Sequence, residues 1–319
     1  MQKTIFTAAI SLVSLFSFMF TLKANAADFE QIYVFGDSFS DDGNFYKITK
    51  NELSVGIPPH PYKDRRFSNG SVWVEYLAQD IGLNPSPNTN FAVGGAKSGL
   101  YNVNIPPIPG LYLTGVLSQI NKFTTENKSV NPNALYIVWG GTNDFFDFEH
   151  IINSSQSVTN ILIGIRTLAA VGAKNILVAN LINLGNLPGT RNSPISKQLN
   201  DSVNEYNVEL IKNLNLLRQQ LNINIIFLDV NSLFQDILAN SRRYGFTNVT
   251  DSCLGNSVLI TLPPSNPSLE CKTNQNNFFF WDSIHPTTAG HKVIADYAAS
   301  VLKAQPLSNS FKKLEISKK

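Results

Sequence analysis

Four separated segments of this 319-residue chain carry groups suited to acyl transfer. Gln31-Ile32-Tyr33-Val34-Phe35 is an apolar, β-branched and aromatic run that stops at Gly36-Asp37-Ser38. This pattern predicts a buried strand whose carboxyl end delivers a serine into a tight turn, where open α/β sheets bind their ligands. A strand followed by an inert polar loop gives the same pattern, so the remaining residues must decide. Acyl transfer needs a nucleophile, a base to take its proton, and donors aimed at the developing oxyanion. Ser38 can attack. The backbone N–H groups of Ser38 and Gly95 and the Asn143 side-chain amide can hold the oxyanion, and a glycine lets the backbone approach a substrate closely.

The base must be one of four histidines. Asp282 and His285 lie three residues apart in a loop stopped by Pro286, so one turn can bring both side chains to the same side. The carboxylate can then fix the imidazole tautomer while the other ring nitrogen faces the serine. His291 has no carboxylate at that spacing and reads as structural. His60 and His150 read as surface residues.

These groups have to be positioned by a scaffold. Strands are predicted over 31–36, 88–93, 134–139, 175–181 and 223–230. Helical spacing runs from Trp73 to Ile81, and over 114–126, 155–171, 195–221, 232–240 and 287–302. The stretches 41–66, 102–110 and 253–271, rich in proline or polar residues, read as loops. Strands alternating with helices predict an α/β fold, a five-stranded parallel sheet covered on both faces. Ser38, Gly95 and Asn143 then follow three strands of one sheet and lie on a common edge. With no internal repeat and no linker, residues 27–305 are expected to form a single domain, followed by a basic tail at 306–319 that reads as solvated.

Composition narrows the chemistry. The chain is 43% hydrophobic and 15% charged, with a net charge of +2. That balance is ordinary for a globular protein and gives no basic face for nucleic acid. Lys3, the apolar stretch 4–22 and Ala24-Asn25-Ala26 read as a signal peptide cleaved after Ala26, in preference to an uncleaved anchor. Export in turn makes Cys253 and Cys271 a disulfide pair. No metal site is expected, since two thiols without a histidine pair do not complete one. G-x-S-x-G, H-E-x-x-H and G-x-x-x-x-G-K-[ST] are all absent, which disfavours other hydrolase folds, zinc hydrolases and phosphate-loop proteins. A secreted binding module without catalysis is the remaining alternative.

The segments also resemble a known family. Gly36-Asp37-Ser38-Phe39-Ser40-Asp41-Asp42-Gly43-Asn44 resembles the first block of the GDSL lipases and esterases, or SGNH hydrolases. Asn90-Phe91-Ala92-Val93-Gly94-Gly95-Ala96 is similar to the second, Gly141-Thr142-Asn143-Asp144 to the third, and Asp282-Ser283-Ile284-His285-Pro286-Thr287 to the last. The resemblance implies a flavodoxin-like three-layer αβα sandwich without a cofactor. It also implies Ser38 as nucleophile and first oxyanion donor, Gly95 and Asn143 as the other donors, and Asp282 with His285 completing the triad. Phe39 departs from the leucine of the family motif, and the double glycine leaves Gly94 as a rival donor, with block alignment favouring Gly95. The long first block is most similar to secreted bacterial lysophospholipases A and glycerophospholipid:cholesterol acyltransferases. Together with the apolar loop 105–113, this implies a lipid or lysophospholipid substrate met at a membrane or micelle surface, with acyl transfer to another alcohol as a second outcome. The alternative is a short-chain carboxylesterase or carbohydrate deacetylase. The aromatic run Phe278-Phe279-Phe280-Trp281 suits a core strand better than an acyl channel, and the Cys253–Cys271 loop is expected to cover the site as a lid opened by proteolysis.

Overall fold

Buried apolar runs of five residues form the centre of the molecule. A computed structural model describes residues 29–83, 88–103, 108–146, 153–255 and 267–304. In chain order these contain β1 (Ile32–Gly36), α1 (Asn44–Leu53), α2 (Trp73–Asp80), α3 (Val116–Glu126), β2 (Leu135–Trp139), α4 (Ser154–Ala170) and β3 (Asn175–Ala179). They continue with α5 (Ser196–Gln220), β4 (Asn224–Leu228), α6 (Val230–Ala239), β5 (Asn248–Ser252), α7 (Leu269–Thr273), β6 (Phe278–Phe280) and α8 (Thr288–Ala304). The candidate signal segment, the basic tail and His150 lie outside the described residues.

β1 to β4 form a parallel sheet in sequential order, with Gly36 opposite Trp139 at the carboxyl end of the first pair. Every residue of β2 is buried, as expected of a strand covered on both faces. The helices make the two outer layers. α3, α4 and α5 pack side by side, with α3 against β1 and α5 against β4, while α2, α8 and α6 pack together on the other side. Their apolar stripes recur at helical spacing: α3 buries Val116, Gln119, Ile120, Phe123 and Thr124, and α5 buries Leu199, Val203, Tyr206, Leu210, Leu214 and Leu217.

The expected five-stranded sheet is corrected to four strands flanked by a bonded segment. Residues 89–93 run beside β1: Val34 N–H donates to Thr89 O at 3.0 Å, Phe91 N–H to Val34 O at 2.8 Å and Val93 N–H to Gly36 O at 3.1 Å. Only a single parallel bridge, Val34 with Asn90, results. The ladder breaks at Gly36, whose N–H goes to Gln119 Oε1 at 2.9 Å while Gln119 Nε2 donates back to the Gly36 carbonyl at 2.9 Å. A side-chain amide from α3 thus takes the pairing that a fifth strand would have made.

Two further differences have local causes. The stretch 41–66 is not wholly loop, because Asp41 gathers the N–H groups of Gly43, Asn44 and Phe45 and so starts α1. The prolines expected to break this region come only after the helix has ended at Ser54, in left-handed conformation at φ 59°. Phe45 and Ile48 of α1 pack on Val93, Ile108 and Leu111, a small cluster apart from the main core. β5 and β6 form a separate parallel pair, so the aromatic run 278–281 is core, all four residues being buried.

Candidate active site

The turn after β1 is built from backbone and Asp37. The N–H groups of Ser40 and Asp41 both donate to the Asp37 carbonyl at 3.0 Å, and the Phe39 N–H donates to Asp37 Oδ1 at 3.1 Å. Gly36 precedes the turn because a Cβ there would stand 2.6 Å from the Trp139 carbonyl oxygen. Ser38 is carried just past the end of the strand, and its own N–H has no acceptor among the described residues.

The loop between β6 and α8 brings the other partners. His285 Nε2 lies 2.7 Å from Ser38 Oγ, a contact across 247 residues of sequence. His285 Nδ1 lies 2.7 Å from Asp282 Oδ2 and 3.0 Å from Oδ1. The carboxylate therefore keeps the proton on Nδ1 and leaves Nε2 to accept from the serine hydroxyl. Asp282 Oδ1 also accepts from the N–H groups of Ile284 at 2.8 Å and His285 at 2.7 Å. Burial alone would raise the Asp282 carboxyl. The electrostatic attraction of His285 and these hydrogen bonds outweigh it, so the carboxyl sits below its ordinary value and stays ionised. Phe39 and Phe67 flank the imidazole, with ring centroids 5.7 and 5.1 Å away.

The second segment, at residues 93–96, turns towards the same edge. Ala96 N–H donates to the Val93 carbonyl at 3.1 Å, closing a turn in which Gly95 has φ +75°. A glycine suits that position, and an added Cβ would also meet Asn102 Oδ1 at 2.4 Å. Gly94 N–H donates to Asp41 Oδ2 at 2.8 Å, whereas the Gly95 N–H has no acceptor among the described residues. Of the two glycines, Gly95 is therefore the one with an N–H left for a ligand. Asn143 Nδ2 donates to the Ala96 carbonyl at 3.0 Å, which sets its amide against this turn with one hydrogen still available.

Several supporting side chains have no role assigned from the sequence. Asp41 accepts from Gly94 and from the first turn of α1, tying the serine turn to the glycine turn. Asn90 Nδ2 donates to the Ser40 carbonyl at 2.8 Å, and Asn44 Nδ2 to the carbonyls of Asn90 and Ala92 at 2.9 Å. The Tyr62 hydroxyl donates to Asp282 Oδ2 at 2.8 Å from a proline-rich stretch that read only as loop. His60 is exposed and lines a cleft of about 550 Å³ on the outer side of Tyr62. His291 is buried in α8 with neither ring nitrogen hydrogen-bonded; burial foremost pushes it down to about 3, so it is a neutral core residue. Cys253 and Cys271 form a disulfide with Cα atoms 5.3 Å apart. The part of their loop expected to act as a lid, 256–266, lies outside the described residues. No group of three or more His, Cys, Asp or Glu side chains suited to a metal occurs among the described residues.

A family model described as GDSL-like lipase/acylhydrolase matches residues 32–298. The chain is 28% identical over 329 residues to the phosphatidylcholine-sterol acyltransferase of Aeromonas hydrophila, covering 89% of this chain and 94% of that protein. It is 28% identical over 296 residues to the thermolabile hemolysin of Vibrio parahaemolyticus, covering 88% and 67%. It is also 28% identical over 325 residues to acetylajmalan esterase 2 of Rauvolfia serpentina, covering 84% and 89%. Among solved structures, a lipolytic G-D-S-L family protein from Veillonella parvula aligns with a TM-score of 0.46 at 15% identity, over 86% of this chain and 99% of that one.

Behind the serine lies a second pair of acids. Asp37 is buried with Oδ2 unpartnered, and burial foremost, reinforced by the charge of Asp144, pushes its carboxyl up to about 7. Asp144 accepts from the Ser98 N–H and hydroxyl and is pushed up by burial to about 6. An unfolded Asp titrates near 3.9, so above that pH the folded chain holds a proton on Asp37 that the unfolded chain releases. The contribution of Asp37 to stability is therefore whole below about pH 4 and is lost as pH rises through about 7. Asp37→Asn does not titrate. Urea unfolding across this range should find the variant gaining on the parent, by about 4 kcal/mol from pH 4 to pH 8. A difference independent of pH would contradict a protonated Asp37.

Proposed function

Because this chain belongs to the GDSL-like lipase/acylhydrolase family and is an ester hydrolase, we propose that it cleaves carboxylic esters of lipids through an acyl-enzyme on Ser38. The observation that carries the reading is the relay from Ser38 Oγ through His285 to Asp282, with both contacts at 2.7 Å. Ser38 Oγ attacks the ester carbonyl while His285 Nε2 takes its proton, and Asp282 stabilises the imidazolium that forms. The N–H groups of Ser38 and Gly95 and the Asn143 amide receive the oxyanion. His285 returns the proton to the leaving alkoxide. Water, activated by the same imidazole, then releases the acid, and another alcohol in its stead yields a transferred ester.

The lipid side of the proposal draws on the surface beside the glycine turn. Leu100, Tyr101, Tyr112 and Leu113 are exposed, the last two by 56% and 59%, and the Tyr101 and Tyr112 rings lie 4.9 Å apart. Val103 N–H donates to the Gly95 carbonyl and Asn102 N–H to the Tyr112 carbonyl, so this apolar shelf continues directly from the proposed oxyanion turn. Such a shelf suits contact with a membrane or micelle. The name of the Aeromonas relative, phosphatidylcholine-sterol acyltransferase, supports lysophospholipase or phospholipase A activity with acyl transfer as a second outcome. That of the Rauvolfia relative supports a small-ester alternative. Export through a cleaved signal peptide is part of the proposal and accords with the Cys253–Cys271 disulfide.

Purified protein assayed on lysophosphatidylcholine and p-nitrophenyl acetate should release acid faster from the lipid; fast cleavage of the acetate alone would favour the small-ester reading. Ser38→Ala should lower kcat by about 10⁴-fold or more with the unfolding midpoint unchanged, since the nucleophile is lost and the fold is not. Asn143→Ala, which deletes a side-chain donor, should lower kcat by roughly 10²-fold, the size of one oxyanion donor. Parent-like turnover in either variant would remove that residue from the mechanism.

A further inference from the structure

One oxygen in the relay has two donors. Asp282 Oδ2 meets His285 Nδ1 at 2.7 Å and also accepts the Tyr62 hydroxyl at 2.8 Å, from a residue 220 positions away. With Ile284 and His285 N–H groups on Oδ1, the carboxylate is held from four directions and cannot turn about its own bond without losing a partner. The phenol is well suited to this task. Burial, and then the negative charge of Asp282, raise its ionisation far above the ordinary range, so it remains a donor wherever the relay operates.

Tyr62 is itself held from behind. It belongs to a small core of buried side chains separate from the main one, with Cys253, Leu254, Cys271, Phe278 and Trp281. Its ring stands edge-on to Trp281 at 6.3 Å and to Phe67 at 6.4 Å, and Phe67 in turn lies 5.1 Å from the His285 ring. The disulfide joins the end of β5 to α7 inside this cluster. Cys253 N–H donates to the Phe280 carbonyl and Leu254 N–H to that of Trp281, immediately before Asp282.

We infer that Tyr62 is a positioning residue of the Ser38–His285–Asp282 relay, and that the cluster around the Cys253–Cys271 disulfide keeps its hydroxyl on Asp282. This rests on the proposed role of Ser38 as nucleophile. The disulfide then acts on turnover as well as on stability, because loosening the cluster frees the phenol and, through it, the carboxylate that orients the base.

The test is a double-mutant cycle on the full chain. Tyr62→Phe keeps the ring and removes the donor. It should lower kcat for a p-nitrophenyl ester by about tenfold, the loss of one charge-assisted hydrogen bond, with KM within about twofold. Ser38 phosphonylation by a fluorophosphonate should slow by the same factor. Replacing both Cys253 and Cys271 by alanine should also lower kcat, and adding Tyr62→Phe should cost little more. If the cysteine-free chain does not fold, Leu254→Ala in the same cluster takes its place in the cycle. Parent-like kcat and phosphonylation in Tyr62→Phe would overturn the positioning role, and losses that multiply in full would overturn its dependence on the cluster. Ser38→Ala separates the two readings: an active Ser38→Ala defeats the nucleophile assignment itself, whereas an inactive one beside a fully active Tyr62→Phe defeats only the role of Tyr62.

Discussion

The contact between Ser38 Oγ and His285 Nε2 sets the demand that the rest of the molecule meets. It joins the end of the first strand to a loop that comes 247 residues later, and it works only if hydroxyl and imidazole stay within hydrogen-bond reach. On one side, Gly36 is clamped by Trp139 across the sheet and by the Gln119 amide, so the strand end is fixed before the serine begins. On the other, Trp281 N–H donates to the His285 carbonyl and Thr287 N–H to that of Phe279, folding the loop back on β6. Both anchors grip backbone groups. The side chains of the relay inherit their positions from them.

Four buried carboxylates lie around this contact, and burial treats all of them alike by disfavouring charge. What separates them is the supply of hydrogen-bond donors and opposite charge. Asp282 has His285 facing it and two backbone N–H groups, which outweigh burial, and ends below its ordinary value. Asp37 has one backbone N–H and an empty second oxygen, and ends near 7. Asp41 and Asp144 have more donors than Asp37 but no facing imidazole, and both are raised. A single environment thus holds an ionised carboxyl beside His285 and one shifted strongly towards its protonated form beside Ser38.

Much of this could be read from residue types. β1 and β2 announced themselves as continuous apolar runs, and the long helices by their spacing, because both patterns reflect burial on a regular lattice. Asp282 and His285 were legible because they are near in sequence and bounded by a proline. Block alignment favours Gly95 over Gly94, and the physical reason stands in three dimensions, where Asp41 takes the Gly94 N–H. α1 was hidden because its start depends on that same carboxylate rather than on an apolar stripe. Tyr62 was hidden for a different reason: a tyrosine between prolines carries no periodicity, and its partner lies 220 residues away. The strand expected at 88–93 reduces to a single bridge, and no pattern there reveals that Gln119 takes the Gly36 N–H.

Asp41 also bears on how such a chain can diversify. Its one carboxylate holds the first turn of α1 and the backbone of Gly94, 53 residues further on. The spacing between the serine turn and the glycine turn is thereby set by a short-range bond, and the length of the intervening chain has little say in it. The stretch between α1 and α2 is less free, since it carries Tyr62 to Asp282 and Phe67 to the His285 ring, so changes of length that leave the serine's geometry alone fall between the end of α2 and residue 88. Selection for new esters would then work on the approach to the site, with the reacting groups carried along as a fixed unit.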